Sequence, residues 1–244
     1  MRKLAEVLEI HKGVTAFVGG GGKTSTIYEL AQELSTQGFR VIVTTTTKMY
    51  IPKPDQVQAL LLNPTVDKIK EAFQHFDCIG IGGGVQESKI VGITQEELEK
   101  MKEVADYVLV EADGAKCLPI KIPGSHEPVI PIGVDYVVAV VGMSGMGQKL
   151  EDCCFRKEEA MTLLDVDEVH TINKDDLVKI IISSNGLRKD VENRRFAVLL
   201  NQMDVIKDKN IGTYIASEVL KNKIDKVVLA SLKEKRWWQE ISKE

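Results

Sequence analysis

No stretch of this chain approaches the ~20 consecutive apolar residues that a membrane-spanning helix needs. Its first residues, "MRKLAEVLEIHKG", set charges among apolar residues at helical spacing, where a secretory leader carries an unbroken apolar core. Both absences point to a cytoplasmic protein with no membrane partner. Cysteine is sparse as well. Cys78, Cys117, Cys153 and Cys154 form no Cys-x-x-Cys ligand set, and sequence neighbours such as Cys153 and Cys154 seldom bridge. Reduced thiols, as in a cytoplasmic compartment, are the expectation. The chain also lacks a basic arm, an acidic tail, a repeat and a recognisable linker. Its 32 Lys and Arg stand against 36 Asp and Glu, a net charge of −4, which argues against a broad nucleic-acid surface.

What remains is a chain of 244 residues, 43% hydrophobic and 28% charged, long enough for a large buried core. "VTAFV", "RVIVTTTT", "ALLL", "CIGI", "YVLVEADG", "DYVVAVVG", "FAVLLN" and "KVVLASL" read as strands. Helical spacing marks "STIYELAQELSTQG", "VDKIKEAFQHF" and "TQEELEKMKEVA" between them. Alternating strands and helices predict a parallel sheet with right-handed crossovers. Strands that are apolar throughout, rather than alternating, predict a sheet covered on both faces. The expected fold is α/β, a three-layer P-loop NTPase-like arrangement with a mostly parallel sheet, as one domain over residues 1–244. The mostly helical stretch within 151–195 reads as an insert or lid in the C-terminal half. Trp237 and Trp238, in the charged tail, read as packing residues or a docking contact.

"FVGGGGKTS", Phe17 to Ser25, carries the chemistry. The Walker A pattern GxxxxGK[ST] wants a glycine six positions before the lysine, and that position here is Phe17. Gly19, Gly20, Gly21 and Gly22 instead make a tighter loop before Lys23, which resembles the short glycine turn of the Mur ligases. Glycines allow positive φ and a close backbone approach, so that N–H groups can turn inward at an oxyanion. The helix that starts near Lys23 adds its positive dipole end. Lys23 can reach the β- and γ-phosphates, and the hydroxyls of Thr24 and Ser25 stand beside them, with Thr24 suited to Mg²⁺. A hairpin turn would need an extended strand after the glycines, and Ser25 onward is helical. Gly82–Gly84 has no following Lys-Thr and reads as a turn before an extended segment.

Two strand ends complete this reading. "YVLVEADG" is an apolar strand ending in acids, the Walker B arrangement, with Glu111 the first candidate for the Mg²⁺ ligand and Asp113 the second. "VIVTTTTKM" ends with Thr44 to Thr47 at the carboxyl edge, where open α/β sheets bind ligands. Thr45 and Thr46 would face the γ-phosphate and metal there, unless the run is simply a β-branched strand end. "FAVLLNQMD" resembles the N-K-x-D element of GTPases, with Gln202 in place of the lysine. Asp204 would pair with the two guanine N–H donors, and Asn201 would support the base. This favours GTP, with ATP the alternative. Ala230-Ser231 stands where GTPases carry a short base-contacting loop.

Taken with "SKIVGI", "YVLVEADGAKCLPIK" and "HEPVIP", these stretches resemble the YqeC family over nearly the whole chain. The resemblance implies an accessory protein of selenium-dependent molybdenum hydroxylases, with such a hydroxylase or its cofactor-assembly machinery as partner. Lys116, Lys121, His126 and Glu127 follow the Walker B strand in a proline-punctuated loop. It reads either as a rigid solvated loop or as the wall of a second site. In the second case the lysines meet an anionic substrate, and His126 transfers a proton. Cys117 reads more simply as a buried structural cysteine than as a reactive thiol.

The leading expectation is a Mg²⁺-dependent nucleotide hydrolase, with Lys23, Glu111, Asp113 and His126 as its catalytic candidates. An ATP-dependent ligase- or kinase-like phosphoryl transferase is one alternative. A nucleotide-switched binding module with little intrinsic hydrolysis is another. The oligomeric state stays open, a homo-oligomer included.

Overall fold

A computed structural model describes residues 2–242, with side chains through residue 237. Its contacts group into two compact units, one of residues 2–17, 24–114 and 129–135, the other of 18–23, 115–128 and 136–242.

The first unit opens with a short helix α1 (Leu4–Val7) and strand β1 (Gly13–Gly19), whose last two residues belong to the second unit. Then come α2 (Lys23–Ser35), β2 (Val41–Thr45), β3 (Lys48–Tyr50), β4 (Ala59–Leu62) and α3 (Val66–Ala72). β5 (Cys78–Gly82), β6 (Gly84–Gln86), β7 (Lys89–Val91), α4 (Gln95–Lys102) and β8 (Tyr107–Glu111) complete it. Strands β4, β5, β2, β8 and β1 lie side by side in that order, all parallel. β2, β5 and β8 are buried at every residue, so this sheet is covered on both faces. Each fully buried Val or Leu side chain stabilises by roughly 1.5–3 kcal/mol. The helices begin where their caps dictate. The Thr65 side chain accepts from Lys68 N–H, and Thr94 with Glu97 forms a reciprocal capping box.

Register fixes what meets at the carboxyl edge. Glu111, the last residue of β8, lies opposite Phe17 on one neighbour and Thr45 on the other. A small antiparallel sheet, β3–β7–β6, follows from the Gly82–Gly84 turn and was not evident in the sequence because its strands are three residues long.

The second unit contains β9 (Ile120–Lys121), β10 (Tyr136–Gly142), α5 (Leu150–Cys153), β11 (Cys154–Phe155), α6 (Lys157–Leu164) and α7 (Lys174–Ile182). It ends with β12 (Arg195–Asn201), α8 (Asn210–Leu220), β13 (Lys226–Ser231) and β14 (Arg236–Ser242). β10, β12 and β13 are parallel and in that order, and β14 closes the edge antiparallel to β13. The charged tail is therefore a strand, with Trp237 opposite Ala230; the Trp238 side chain lies outside the described residues. The stretch expected to be helical contributes α5, α6 and α7, with β11 pairing β9. Among the described residues no helix is long and apolar enough to cross a membrane.

Candidate functional site

The glycine loop sits in the second unit, against the end of β10. Gly19, Gly21 and Gly22 have φ of 93°, 67° and 108°, where L side chains are strained. Space excludes a side chain as well. A Cβ on Gly19 would lie 2.3 Å from Val140 O, and one on Gly21 would lie 2.1 Å from Gly142 N. At Gly20 the obstruction is Leu118 O at 2.7 Å, and at Gly22 it is Asn201 Nδ2 at 2.5 Å. The loop is thus a close-packed backbone turn. Inward-facing N–H groups were expected throughout, but Gly20 N–H donates to Val140 O and Gly21 N–H to Leu118 O, each at 2.9 Å. Those two donors are spent on fixing the loop's shape. Lys23 is buried, with its ammonium donating back to Gly19 O at 3.3 Å across the loop it closes.

Asn201, at the end of β12, straps this loop down. Its Nδ2 donates to Gly21 O at 2.8 Å, and its Oδ1 accepts from Leu232 N–H at 3.1 Å, just past β13. Both halves of the amide are thereby engaged by backbone, which makes Asn201 a positioning residue for the loop. Gln202 follows in a left-handed conformation, φ 63°, and its Oε1 accepts from Ser144 Oγ at 2.6 Å. Neither Ser144 nor this role for Gln202 was visible in the sequence, since the contact spans 58 residues and matches no motif. Asp204, half-buried, lies in the 3₁₀ turn Met203–Val205 directly after Gln202. Ser231 is buried at the end of β13.

In the first unit, Thr24 Oγ1 donates to Glu111 Oε2 at 2.6 Å, which joins the first turn of α2 to the end of β8. Glu111 is buried, and so is Asp113 two residues on. Burial, and after it the charge of Glu111, pushes the Tyr28 phenol well above its usual range, so Tyr28 is neutral beside the acid. Ser25 is exposed on α2. The threonine hydroxyls are engaged by backbone: Thr44 donates to Ile81 O at 2.8 Å, Thr45 to Glu111 O at 2.8 Å and Thr46 to Val129 O at 2.7 Å. Their protons therefore hold the strand end together, and Thr45 Oγ1 also accepts from Thr47 N–H at 3.1 Å.

The proline-punctuated loop lies mostly in the second unit. His126 is exposed, whereas Lys121 is buried and ion-paired to Glu127 at 3.0 Å. Cys117 is exposed rather than buried, because it occupies the second of two left-handed turn positions and its side chain is directed outward. The other three cysteines are free and buried, and burial pushes Cys78 and Cys154 up to about 12. Among the described residues no group of three or more His, Cys, Asp or Glu could hold a metal. A nucleotide-bound Mg²⁺ does not require one, since it takes one or two protein oxygens and completes its shell with phosphate and water.

A glycine turn that follows a parallel strand, is closed by a buried lysine and leads into a helix defines the P-loop NTPase-like class. Residues 15–158 match the family model described as YqeC protein. The chain belongs to the YqeC family. It is 29% identical over 181 residues to "Uncharacterized protein YqeC" of Escherichia coli (strain K12), which covers 73% of this chain and 71% of that protein. A solved structure it resembles is that of HypB from Helicobacter pylori in complex with nickel. The identity there is 12%, with 94% of this chain and 83% of the other covered, and the TM-score of 0.37 supports no argument.

Proposed function

We propose that this chain is a Mg²⁺-dependent nucleotide hydrolase, with GTP favoured over ATP, that assists maturation of a selenium-dependent molybdenum hydroxylase. The observation that carries the nucleotide reading is the glycine loop, whose backbone is fixed by Val140, Leu118 and Asn201 before any ligand arrives. A preformed loop costs little reorganisation on binding a phosphate chain, which is how phosphoryl-transfer sites gain most of their effect. Lys23 would meet the β- and γ-phosphates. Thr24 and Glu111 fit Mg²⁺, since a hydroxyl and a carboxylate oxygen 2.6 Å apart are the hard donors it takes. Asp113 is the further carboxylate at that strand end. When bound, the metal neutralises charge on the phosphates. Asp204 would accept from the guanine N–H pair, and leaving that acid unmatched is what disfavours adenine. The partner hydroxylase follows from the family resemblance alone.

The test is thermal stability with Mg²⁺ and GTP, GDP, ATP or ADP, on the wild-type chain and on Lys23→Ala. At a ligand concentration of a hundred times Kd, binding adds about 2.7 kcal/mol. A shift with guanine nucleotides that disappears in Lys23→Ala is the expected result. An adenine-only shift overturns the base assignment, and no shift with any nucleotide overturns the whole reading.

A further inference from the structure

Cations of the second unit that the nucleotide reading leaves unused gather at one ring. Lys116 Nζ, Lys121 Nζ and Arg156 Cζ lie 5.1, 5.4 and 5.2 Å from the centre of Phe155. Three like charges around one ring repel one another, and an aromatic face is a weak partner for each. A single carboxylate oxygen, Glu127 Oε2, accepts from both Lys121 Nζ at 3.0 Å and Arg156 Nε at 2.9 Å. Glu159 Oε1 stands 3.9 Å from Arg156 Nη1. Burial raises the Glu127 carboxyl, but Arg156 and Lys121 outweigh it and hold the acid below the usual range, so it stays ionised between them.

A fourth cation borders the group. Lys189 Nζ donates to Gly124 O at 2.6 Å and Ser125 O at 3.0 Å. Gly124 in turn lies flush on Arg156, where a Cβ would sit 2.6 Å from the guanidinium carbon. The backbone carries strain at the positions that aim these side chains. Lys116 and Cys117 are the central residues of a turn closed by Leu118 N–H to Ala115 O at 2.9 Å, with φ of 46° and 62°. Arg156 has φ 66°. Such turns ordinarily take Asn and Gly, and non-glycine residues held in the left-handed region concentrate at ligand sites. Lys116 is exposed, Arg156 is 34% exposed and Lys189 is half-buried, so the outer side of the cluster is open to a ligand.

We propose that Lys116, Arg156 and Lys189, backed by the buried charge of Lys121, form an oxyanion site for a second ligand, a small molecule bearing a doubly charged tetrahedral group such as a phosphoryl. The lysines act as point charges approaching from different sides, and the guanidinium offers a fork of donors. Buried Lys121 and Glu127 hold the cluster from beneath. The turn that carries Lys116 also supplies Leu118 O, the acceptor for Gly21 N–H, so the site adjoins the glycine loop through backbone. It stands whether or not that loop takes a nucleotide.

Calorimetric titration of the full chain with inorganic phosphate, against chloride at matched ionic strength, tests this. The proteins are wild type, Lys23→Ala and the surface double variant Lys116→Gln/Lys189→Gln, with Arg156→Gln as a second probe of the cluster. Phosphate should bind wild type and Lys23→Ala alike. Affinity should fall at least about tenfold in Lys116→Gln/Lys189→Gln, since two charge-assisted contacts are lost. Binding that is lost in Lys23→Ala but kept in the double variant would place the phosphate in the glycine loop and overturn the proposal. A heat no larger than that of chloride overturns it too.

Discussion

At the scale of single residues, Gly21 and Asn201 are two halves of one device. An alanine at Gly21 would take φ 67° and put its methyl 2.1 Å from Gly142 N, a collision with backbone that no rotamer relieves. The left-handed conformation alone costs a non-glycine residue about 1–2 kcal/mol. Gly21→Ala should lower the melting temperature by roughly 2–4 °C for each kcal/mol in a chain of this length. It should also abolish nucleotide-dependent stabilisation. Gly114→Ala, with nothing within 4 Å of its Cβ, is the control and should stay within about 0.5 kcal/mol of wild type. Asn201→Ala strands the buried Gly21 carbonyl, at about 1–3 kcal/mol. Asp204→Asn separates support from selectivity. It should leave the unliganded melting temperature near wild type while narrowing the gap between GTP and ATP shifts. Equal loss of both nucleotides in Asp204→Asn would remove the guanine assignment.

At the scale of elements, Asp106 pins the amino ends of three strands. Its carboxylate accepts from Arg40 N–H at 2.9 Å, Lys12 Nζ at 3.0 Å and Arg40 Nε at 3.3 Å. Its own backbone bonds to Gly13 and Arg40, at the starts of β1 and β2. Burial pushes this carboxyl up, and the Arg40 N–H, the Lys12 ammonium and the Arg40 guanidinium more than reverse it, to about 2. A folded pKa below the unfolded value of about 3.9 adds stability that is complete above pH ~4 and lost as pH falls toward 2. Asp106→Asn should therefore cost on the order of 1 kcal/mol at pH 7 after screening, and only a small fraction of that at pH 2, where the folded carboxyl is half protonated. Denaturant melts at the two pH values check this, and an equal cost at both would refute it. The parallel strands β1, β2, β4, β5, β8, β10, β12 and β13 could be read from the sequence because each is an apolar run. β14 could not, since "RWWQEIS" mixes charge with aromatics and is defined by its partner β13 rather than by a pattern of its own. The same divide holds in the site. Gly19–Thr24 and Glu111 announce themselves by spacing. The Asn201 strap, the Ser144–Gln202 bond and the cations around Phe155 arise from contacts across tens of residues, which no local motif records.

At the scale of the whole molecule, ligand linkage and turnover together separate a hydrolase from a nucleotide-switched binder. Stabilisation by a nucleotide reports only its preference for the folded chain, whereas hydrolysis requires that the phosphoryl group be positioned for water. Glu111→Gln keeps a group able to accept from Thr24 but removes the charge that suits Mg²⁺. In wild type, chelating Mg²⁺ with EDTA should cut the nucleotide-induced rise in melting temperature by more than half. In Glu111→Gln that rise should already be small, and EDTA should change it little. If EDTA acts equally on both proteins, Glu111 does not hold the metal, and Asp113 becomes the acid to substitute next. Steady phosphate release that falls at least about a hundredfold in Lys23→Ala would mark the wild-type chain as a hydrolase in its own right. A full Mg²⁺-dependent shift with no turnover above background would identify it instead as a binder whose hydrolysis awaits a partner. The nucleotide site would stand in that case, and the hydrolase reading would not.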